Sequence, residues 1–153
     1  MLDLIIKNGS CYIDKDLKDQ DIAIKDGKII KIGKIDSEAK ETFDAKGLTV
    51  LPGCIDTQTH FREPGSTDTE DLHSGSRAAI VGGITSVFEM PNTNPPTSTK
   101  IEFQKKLDLA KNRMYCNYAF YFGATADNAN ELADLVNLEG CCGIKLFAGS
   151  STG

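Results

Sequence analysis

Residues 1–52 are built from short runs rich in β-branched residues. DLIIKNGSCYI, DIAIKDGKIIKIG and ETFDAKGLTVL alternate apolar and polar positions in part, and Asn8-Gly9, Asp26-Gly27 and Lys46-Gly47 punctuate them. Asn-Gly and Asp-Gly tolerate the positive φ of tight hairpin turns, so the pattern predicts a small antiparallel sheet module over 1–52. After Pro52-Gly53 the period changes. CIDTQTH, ITSVFEMPN, YCNYAFYFGAT and CCGIKLFAG read as strands, and TDTEDLHSGSRAAIVGG, TKIEFQKKLDLAKNRM and NANELADLVNL read as the helices between them. Thr67 with Glu70, and Thr99 with Glu102, have capping-box spacing. Phe103, Leu107, Ala110 and Met114 fall on one helical face. Strand and helix alternating at this spacing predict βαβ units and a parallel sheet over 53–153.

Composition narrows the class. The chain has 153 residues, 17 basic and 22 acidic, with 40% hydrophobic and 25% charged residues. These values suit a soluble globular fold. The mildly acidic balance, with no Lys/Arg block, argues against a nucleic-acid partner. The N-terminus MLDLIIKNGS lacks the plan of a signal peptide, and no apolar run reaches the ~20 residues of a membrane helix. The expectation is a cytoplasmic protein with no membrane partner. Five cysteines, Cys11, Cys54, Cys116, Cys141 and Cys142, without a CxxC, read as reduced, buried thiols. Only the adjacent Cys141–Cys142 pair raises a redox question.

Candidate chemistry gathers at the predicted strand ends. Alternation puts Asp56, Gln58 and His60 on one face. In a β/α barrel that face points inward, towards the C-terminal mouth where active sites are built. A His-x-His pair there could give a metal two imidazoles, but Gln58 offers a neutral amide oxygen, a poor zinc ligand. A hydrogen-bonded structural His60 is the plain alternative. Lys145 lies between Ile144 and Leu146 and points opposite them, into the interior. A buried ammonium must lose its proton or find a partner. A neutral amine can react with carbon dioxide to form a carbamate able to bridge metal ions; snorkelling to the mouth is the alternative. His73, in the first predicted helix, reads as solvated, and Glu89, off the inward register, as outward or structural. GSSTG at the end does not make a phosphate loop, because no Gly-Lys-Ser/Thr follows.

DTQTHFREPG, EMPNTNPPT and GIKLF, in that order, resemble the dihydroorotases of the amidohydrolase superfamily. IKDGKIIKIG and LTVLPGCID resemble that superfamily's N-terminal sheet and first barrel strand, so the likeness spans nearly the whole chain. It implies a small antiparallel β-sandwich segment over 1–52 and, over 53–153, the first four strands and three helices of a (β/α)8 TIM-like barrel. The family's first strand carries His-x-His-x-Arg: His60 matches the second histidine, Arg62 the arginine, and Gln58 replaces the first histidine. The resemblance implies His60 and Lys145 (as a carbamate formed with carbon dioxide) as ligands of one or two zinc ions, with Gln58 at a substituted ligand position. It implies Arg62 and Asn92 as binders of the substrate carboxylate. A guanidinium fork and an amide donor suit that task; a surface ion pair and an Asx-turn are the alternatives.

The implied activity is dihydroorotase, interconverting carbamoyl aspartate and dihydroorotate in pyrimidine biosynthesis. HFREPG together with MPNTNPP favours it over hydantoinase or allantoinase. A full barrel needs typically ~250 residues, and the family's remaining histidines and its general-base aspartate come from later strands. The chain is therefore expected to be incomplete for catalysis: a split-enzyme piece, a fragment, or a truncated gene remnant. Its open sheet edges would pair with a complementary C-terminal chain or a second copy. A non-catalytic subunit beside aspartate transcarbamoylase, and an unrelated α/β binding module, are the competing readings.

Overall fold

The computed structural model describes residues 1–149, which divide into two compact units between Pro52 and Gly53. Apart from Gly149, the GSSTG stretch lies outside the described residues.

In the first unit β1 (Leu2–Ile13) pairs antiparallel with β2 (Asp16–Lys25), and β2 pairs antiparallel with β3 (Lys28–Gly33). Two residues of positive φ close each hairpin: Asp14 and Lys15 the first, Asp26 and Gly27 the second. The sheet is not wholly antiparallel, as the turn dipeptides predict. β4 (Ala39–Asp44) and β5 (Thr49–Val50) both run parallel to β1, giving one mixed sheet of five strands rather than a sandwich. Residues 34–38 carry the chain back across, and Ile35 on the way is buried with Ile5 and Ala23 in the unit's core. Asn8-Gly9 makes no turn. Asn8 has its positive φ (60°), but inside β1, where the pairing with β2 slips between Ile6 and Gly9. That is a bulge, which uses the same conformation without reversing the chain.

The second unit alternates as predicted: β6 (Cys54–Thr59), α1 (Leu72–Val81), β7 (Ile84–Glu89), α2 (Lys100–Ala110), β8 (Asn117–Gly123), α3 (Leu132–Leu135) and β9 (Cys141–Lys145). The four strands are parallel in the order β6-β7-β8-β9, a curled half-barrel sheet. α1 starts later than Thr67. Asp71 is its N-cap, accepting from the Ser74 backbone N–H at 2.6 Å while Ser74 Oγ accepts from the Asp71 N–H at 3.2 Å. This reciprocal pair replaces the expected Thr67–Glu70 box. Thr99 does cap α2, accepting from the Glu102 N–H at 3.2 Å. The third helix shrinks to a 3-10 turn (Ala129–Glu131) and four α-helical residues, neither with a side-chain cap.

Val87, Phe120 and Phe122 turn one sheet face towards Leu72, Phe103, Ala110 and Leu135, forming the unit's core. Leu107 and Met114 pack on its margin, as the helical stripe requires. Phe88 and Tyr121 occupy intervening strand positions and meet edge to face with ring centroids 6.4 Å apart. The five cysteines are free, but Cys54 is exposed rather than buried. Cys142 is a poor candidate for thiolate chemistry: burial pushes its thiol up to about 12. No helix among the described residues is long and apolar enough to cross a membrane.

Gly75 is where α1 touches the segment after β6. A Cβ there would lie 2.4 Å from Phe61 Cδ1. Gly75→Ala is expected to push Phe61 out of the core and cost about 1–3 kcal/mol, the usual range for overpacking, seen as a lower urea midpoint. An unchanged midpoint would show that α1 does not rest on Phe61.

Candidate functional site

The loops leaving β6 and β7 are bound to each other at several points. The Met90 N–H donates to the Thr59 carbonyl and the Asn94 N–H to the Pro64 carbonyl, both at 3.0 Å. Gly65, at φ 118°, lets the Asn94 backbone approach, for a Cβ would meet Asn94 Cβ at 2.9 Å. The second loop is also tied within itself: the Thr97 N–H donates to the Pro91 carbonyl at 2.9 Å, and Thr93 Oγ1 donates to the Pro95 carbonyl at 2.9 Å. Together they form one platform at the C-terminal edge of the sheet, the end where parallel α/β folds place their chemistry.

On this platform His60 Nδ1 lies 2.9 Å from Asn92 Oδ1. An amide oxygen only accepts, so the Nδ1 facing it is the donor, and Nε2 is not used in this contact. Arg62, half-buried and at φ 60°, follows one residue beyond the buried Phe61. The structure thus brings His60 and Asn92 into contact, with Arg62 on the same short segment as His60. It makes Asn92 a partner of His60, a relation the strand pattern does not reveal.

Gln58 is set differently from the expectation. The β6–β7 register shifts between Asp56 and Thr59, which pair with Val87 and Glu89, so β6 carries an extra residue there. The strict alternation placing Asp56, Gln58 and His60 on one face is therefore broken. Gln58 is exposed, and its backbone N–H donates to Asp56 Oδ1 at 2.9 Å. The Asp56 carboxylate is turned back onto its own strand. Lys145 ends β9, at the same edge of the sheet as His60 but three strand spacings away, about 14 Å along the sheet. Its Nζ lies 5.1 Å from the centre of the Phe147 ring, a cation–π contact.

Two buried carboxylates support the platform from the helix side: Glu63, which the sequence does not single out, and Glu89, whose register reads as outward or structural. Glu63 accepts the Leu72 N–H at the start of α1 at 2.9 Å, and the Arg113 guanidinium grips it in two places, at 2.8 and 3.1 Å. Glu89 is buried against Lys106 of α2, itself wholly buried. Lys106 Nζ also donates to the Met90 carbonyl at 3.0 Å and sits 5.1 Å from the centre of the Phe120 ring. The Glu89–Lys106 contact is an ion pair rather than an aligned hydrogen bond, since Glu89 Oε2 has none. Burial pushes the Glu89 carboxyl up to about 7 against the pull of Lys106, and burial lowers the Lys106 ammonium. His73 is exposed on α1, as predicted, and meets the Tyr115 ring edge-on.

Among the described residues no cluster of three or more His, Cys, Asp and Glu side chains could hold a metal ion. His60 offers one free nitrogen, Gln58 faces solvent and Asp56 is engaged. These residues do not by themselves fit a zinc centre, which takes about three protein ligands.

A curled parallel sheet with its polar platform at the strand ends is the arrangement of a barrel hydrolase, and comparison with known proteins agrees. The profile of the amidohydrolase family matches residues 49–141, and the chain belongs to that family. Its sequence is 41% identical over 146 residues to the allantoinase of Escherichia coli O1:K1, covering 95% of this chain and 32% of that protein. Its fold matches the L-hydantoinase (dihydropyrimidinase) of Arthrobacter aurescens with a TM-score of 0.89 and 34% identity, over 100% of this chain and 35% of that one. The D-hydantoinase of Bacillus sp. AR9 matches with a TM-score of 0.81 and 27% identity, over 96% and 33%. The chain spans about a third of the length of these relatives. They are an allantoinase and hydantoinases, so the superfamily expectation holds while dihydroorotase in particular gains no support.

Removing Arg113 should leave Glu63 buried and unmatched. Arg113→Met is expected to cost about 2–3 kcal/mol, as for a lost charged hydrogen-bond partner, measured by urea unfolding; a loss below a tenth of that would mean that solvent already screens the pair. Glu89 gives a pH dependence. Its carboxyl rises from an ordinary 4.5 to about 7 on folding, so the folded state holds the proton longer and the group's stabilisation, complete below 4.5, is lost as pH rises to about 7. The loss is at most about 3 kcal/mol. Asp3, Asp44 and Asp71 are held low by hydrogen bonds and act in the opposite sense. The readout is therefore the difference between wild type and Glu89→Gln: the wild-type melting temperature should fall relative to the variant's between pH 4.5 and 7. Parallel curves would refute it.

Proposed function

We propose that this chain is the N-terminal portion of a cyclic amide hydrolase whose ring is a ureide of the hydantoin or allantoin kind. The observation that supports it best is the 41% identity to an allantoinase across 95% of the chain. The platform is chemically suited to such a ring. Asn92 engages His60 through Nδ1 and leaves Nε2 unused in that contact, and Arg62 supplies a planar fork of N–H donors. A hydantoin ring carries no carboxylate, so Arg62 in this reading donates to ring or ureido carbonyl oxygens. In dihydroorotate the same fork would grip a carboxylate, and that remains the alternative substrate.

Amidohydrolases are as a rule metal-dependent. His60 Nε2 and Lys145, whether or not as a carbamate, take part in such a site only together with groups beyond the described residues. The open edges of β6 and β9 pair, in this reading, with further strands of a longer chain, a second polypeptide or a second copy. A second reading, favoured by Gln58 and by the lack of a three-ligand cluster among the described residues, is a ring-binding chain without turnover, such as a subunit beside aspartate transcarbamoylase.

The test uses the purified chain with added zinc and three compounds: hydantoin, allantoin and dihydroorotate. Binding is followed by saturation-transfer NMR and ring opening by chromatography. Contact with the ureides, weakened about tenfold or more by Arg62→Met, is the expected result, the loss matching one good polar contact. Selective binding of dihydroorotate would restore the carboxylate reading. Ring opening that depends on added zinc would sink the reading without turnover.

A further inference from the structure

Among the described residues, six other than glycine have a positive φ. Asp14, Lys15 and Asp26 close hairpins, Asn8 sits in a bulge, and Asn112 lies just past α2, where the chain must turn. Arg62, at φ 60°, lies instead in the loop between β6 and α1. That φ is costly for a long side chain, and it persists only where the surroundings impose it. Here they do so from both sides. Phe61 is buried and packs so closely on Gly75 of α1 that a Cβ there would lie 2.4 Å from its ring. Glu63 is buried too; it accepts the Leu72 N–H at 2.9 Å and is held by Arg113 at 2.8 and 3.1 Å. Arg113 Nη1 also donates to the Leu109 carbonyl at 3.1 Å, which fixes the fork to the end of α2. The Arg62 carbonyl accepts the Ser66 N–H at 2.9 Å. One residue thus spans two anchors, an aromatic ring before it and a carboxylate after it.

We propose that Glu63 and Arg113 are positioning residues for Arg62: their two-point pair holds the segment after Phe61 so that Arg62 keeps its left-handed backbone, which sets where its guanidinium leaves the chain. The functional meaning of that placement rests on the cyclic amide hydrolase reading, in which Arg62 donates to the ring. The hold on the backbone is a property of the chain alone. Glu63 and Arg113 are given no contact with substrate; both act through the main chain. A backbone held in one conformation offers the fork from one direction, and less freedom is then lost when it meets a ligand.

The test compares glycine with alanine at position 62. At an ordinary φ glycine is the less stable choice, whereas at an imposed positive φ it is the more stable one, so the sign of the difference reports the backbone. By urea unfolding, the folded-to-unfolded ratio of the Arg62→Gly chain should exceed that of Arg62→Ala by about threefold. The same comparison is then made with Glu63→Gln and Arg113→Met present together. This pair of changes strands neither charge, and an amide oxygen at 63 can still accept the Leu72 N–H. The glycine advantage should shrink or reverse there. An advantage of equal size in both backgrounds would overturn the proposal, because something other than the pair would then be holding Arg62. If the double change does not fold, Arg113→Lys takes its place, keeping the charge while losing the two-point grip, and the same outcomes decide. In the unsubstituted chain, a strong Hα–HN contact within Arg62 in NMR spectra is expected; a weak one, as at negative φ, refutes the proposal. The recognition role has its own arm. Allantoin binding should weaken about threefold or more in the double variant, although neither residue contacts the ligand; unchanged affinity would overturn that role. None of the backbone measurements needs ligand, metal or turnover. A wild-type chain that binds no ureide would therefore sink the ring assignment and leave the hold on Arg62 to be judged by the glycine comparison.

Discussion

A charge removed from water must be matched, and in this chain the matching is done directly beneath the platform. Glu63 and Glu89 are both buried, one in the loop after β6 and one at the end of β7. Their partners come from α2 and the turn that follows it: Lys106 from the helix, Arg113 from just beyond. Apolar packing would hold α2 against the sheet but would leave it free to slide. An ion pair with hydrogen bonds to named backbone atoms does not permit sliding, since each unmatched charge would be expensive. The core thus supplies the affinity between layers, and the two charge pairs supply the register.

That register explains which parts of the fold were legible in the sequence. Periodicity marked the stripe Phe103, Leu107, Ala110 and Met114, because packing against a sheet needs only that one face be apolar. It could not mark Lys106, which sits in the same stripe but makes sense only with Glu89 from the preceding strand. Local signals failed where a second local solution was available. Asn8 takes the positive φ that Asn-Gly advertises, yet a bulge satisfies it as well as a turn does. Thr67 and Glu70 have the spacing of a cap, but Asp71 and Ser74 have it too, and Glu63 already meets the first N–H of α1 from outside the helix.

The position of the candidate residues was readable by composition and less so by geometry. His60, Arg62, Asn92 and Lys145 all come to the C-terminal edge of the parallel sheet, where the motifs placed them. What alternation could not foresee is the extra residue in β6, which takes Gln58 out of phase with its neighbours. Nor could it foresee that Asn92 turns to the histidine. Both depend on how two loops far apart in sequence tie to one another, through Met90 to Thr59 and Asn94 to Pro64.

The loop geometry also bears on why motif resemblance pointed to a carboxylate-bearing ring while whole-chain similarity points to ureides. HFREPG and MPNTNPP specify the platform: the bound loops, the oriented imidazole and the guanidinium beside it. A platform of this kind presents donors to whatever oxygen lies above it, and an amide carbonyl and a carboxylate differ there by charge more than by position. In the proposed reading Arg62 answers to both, so the motif reports the class of chemistry rather than the ring. Discrimination between rings must come from groups that meet the rest of the substrate. The allantoinase and hydantoinase likeness, spread over the helices and the first sheet as well as the platform, is informative because it does not depend on those few donors.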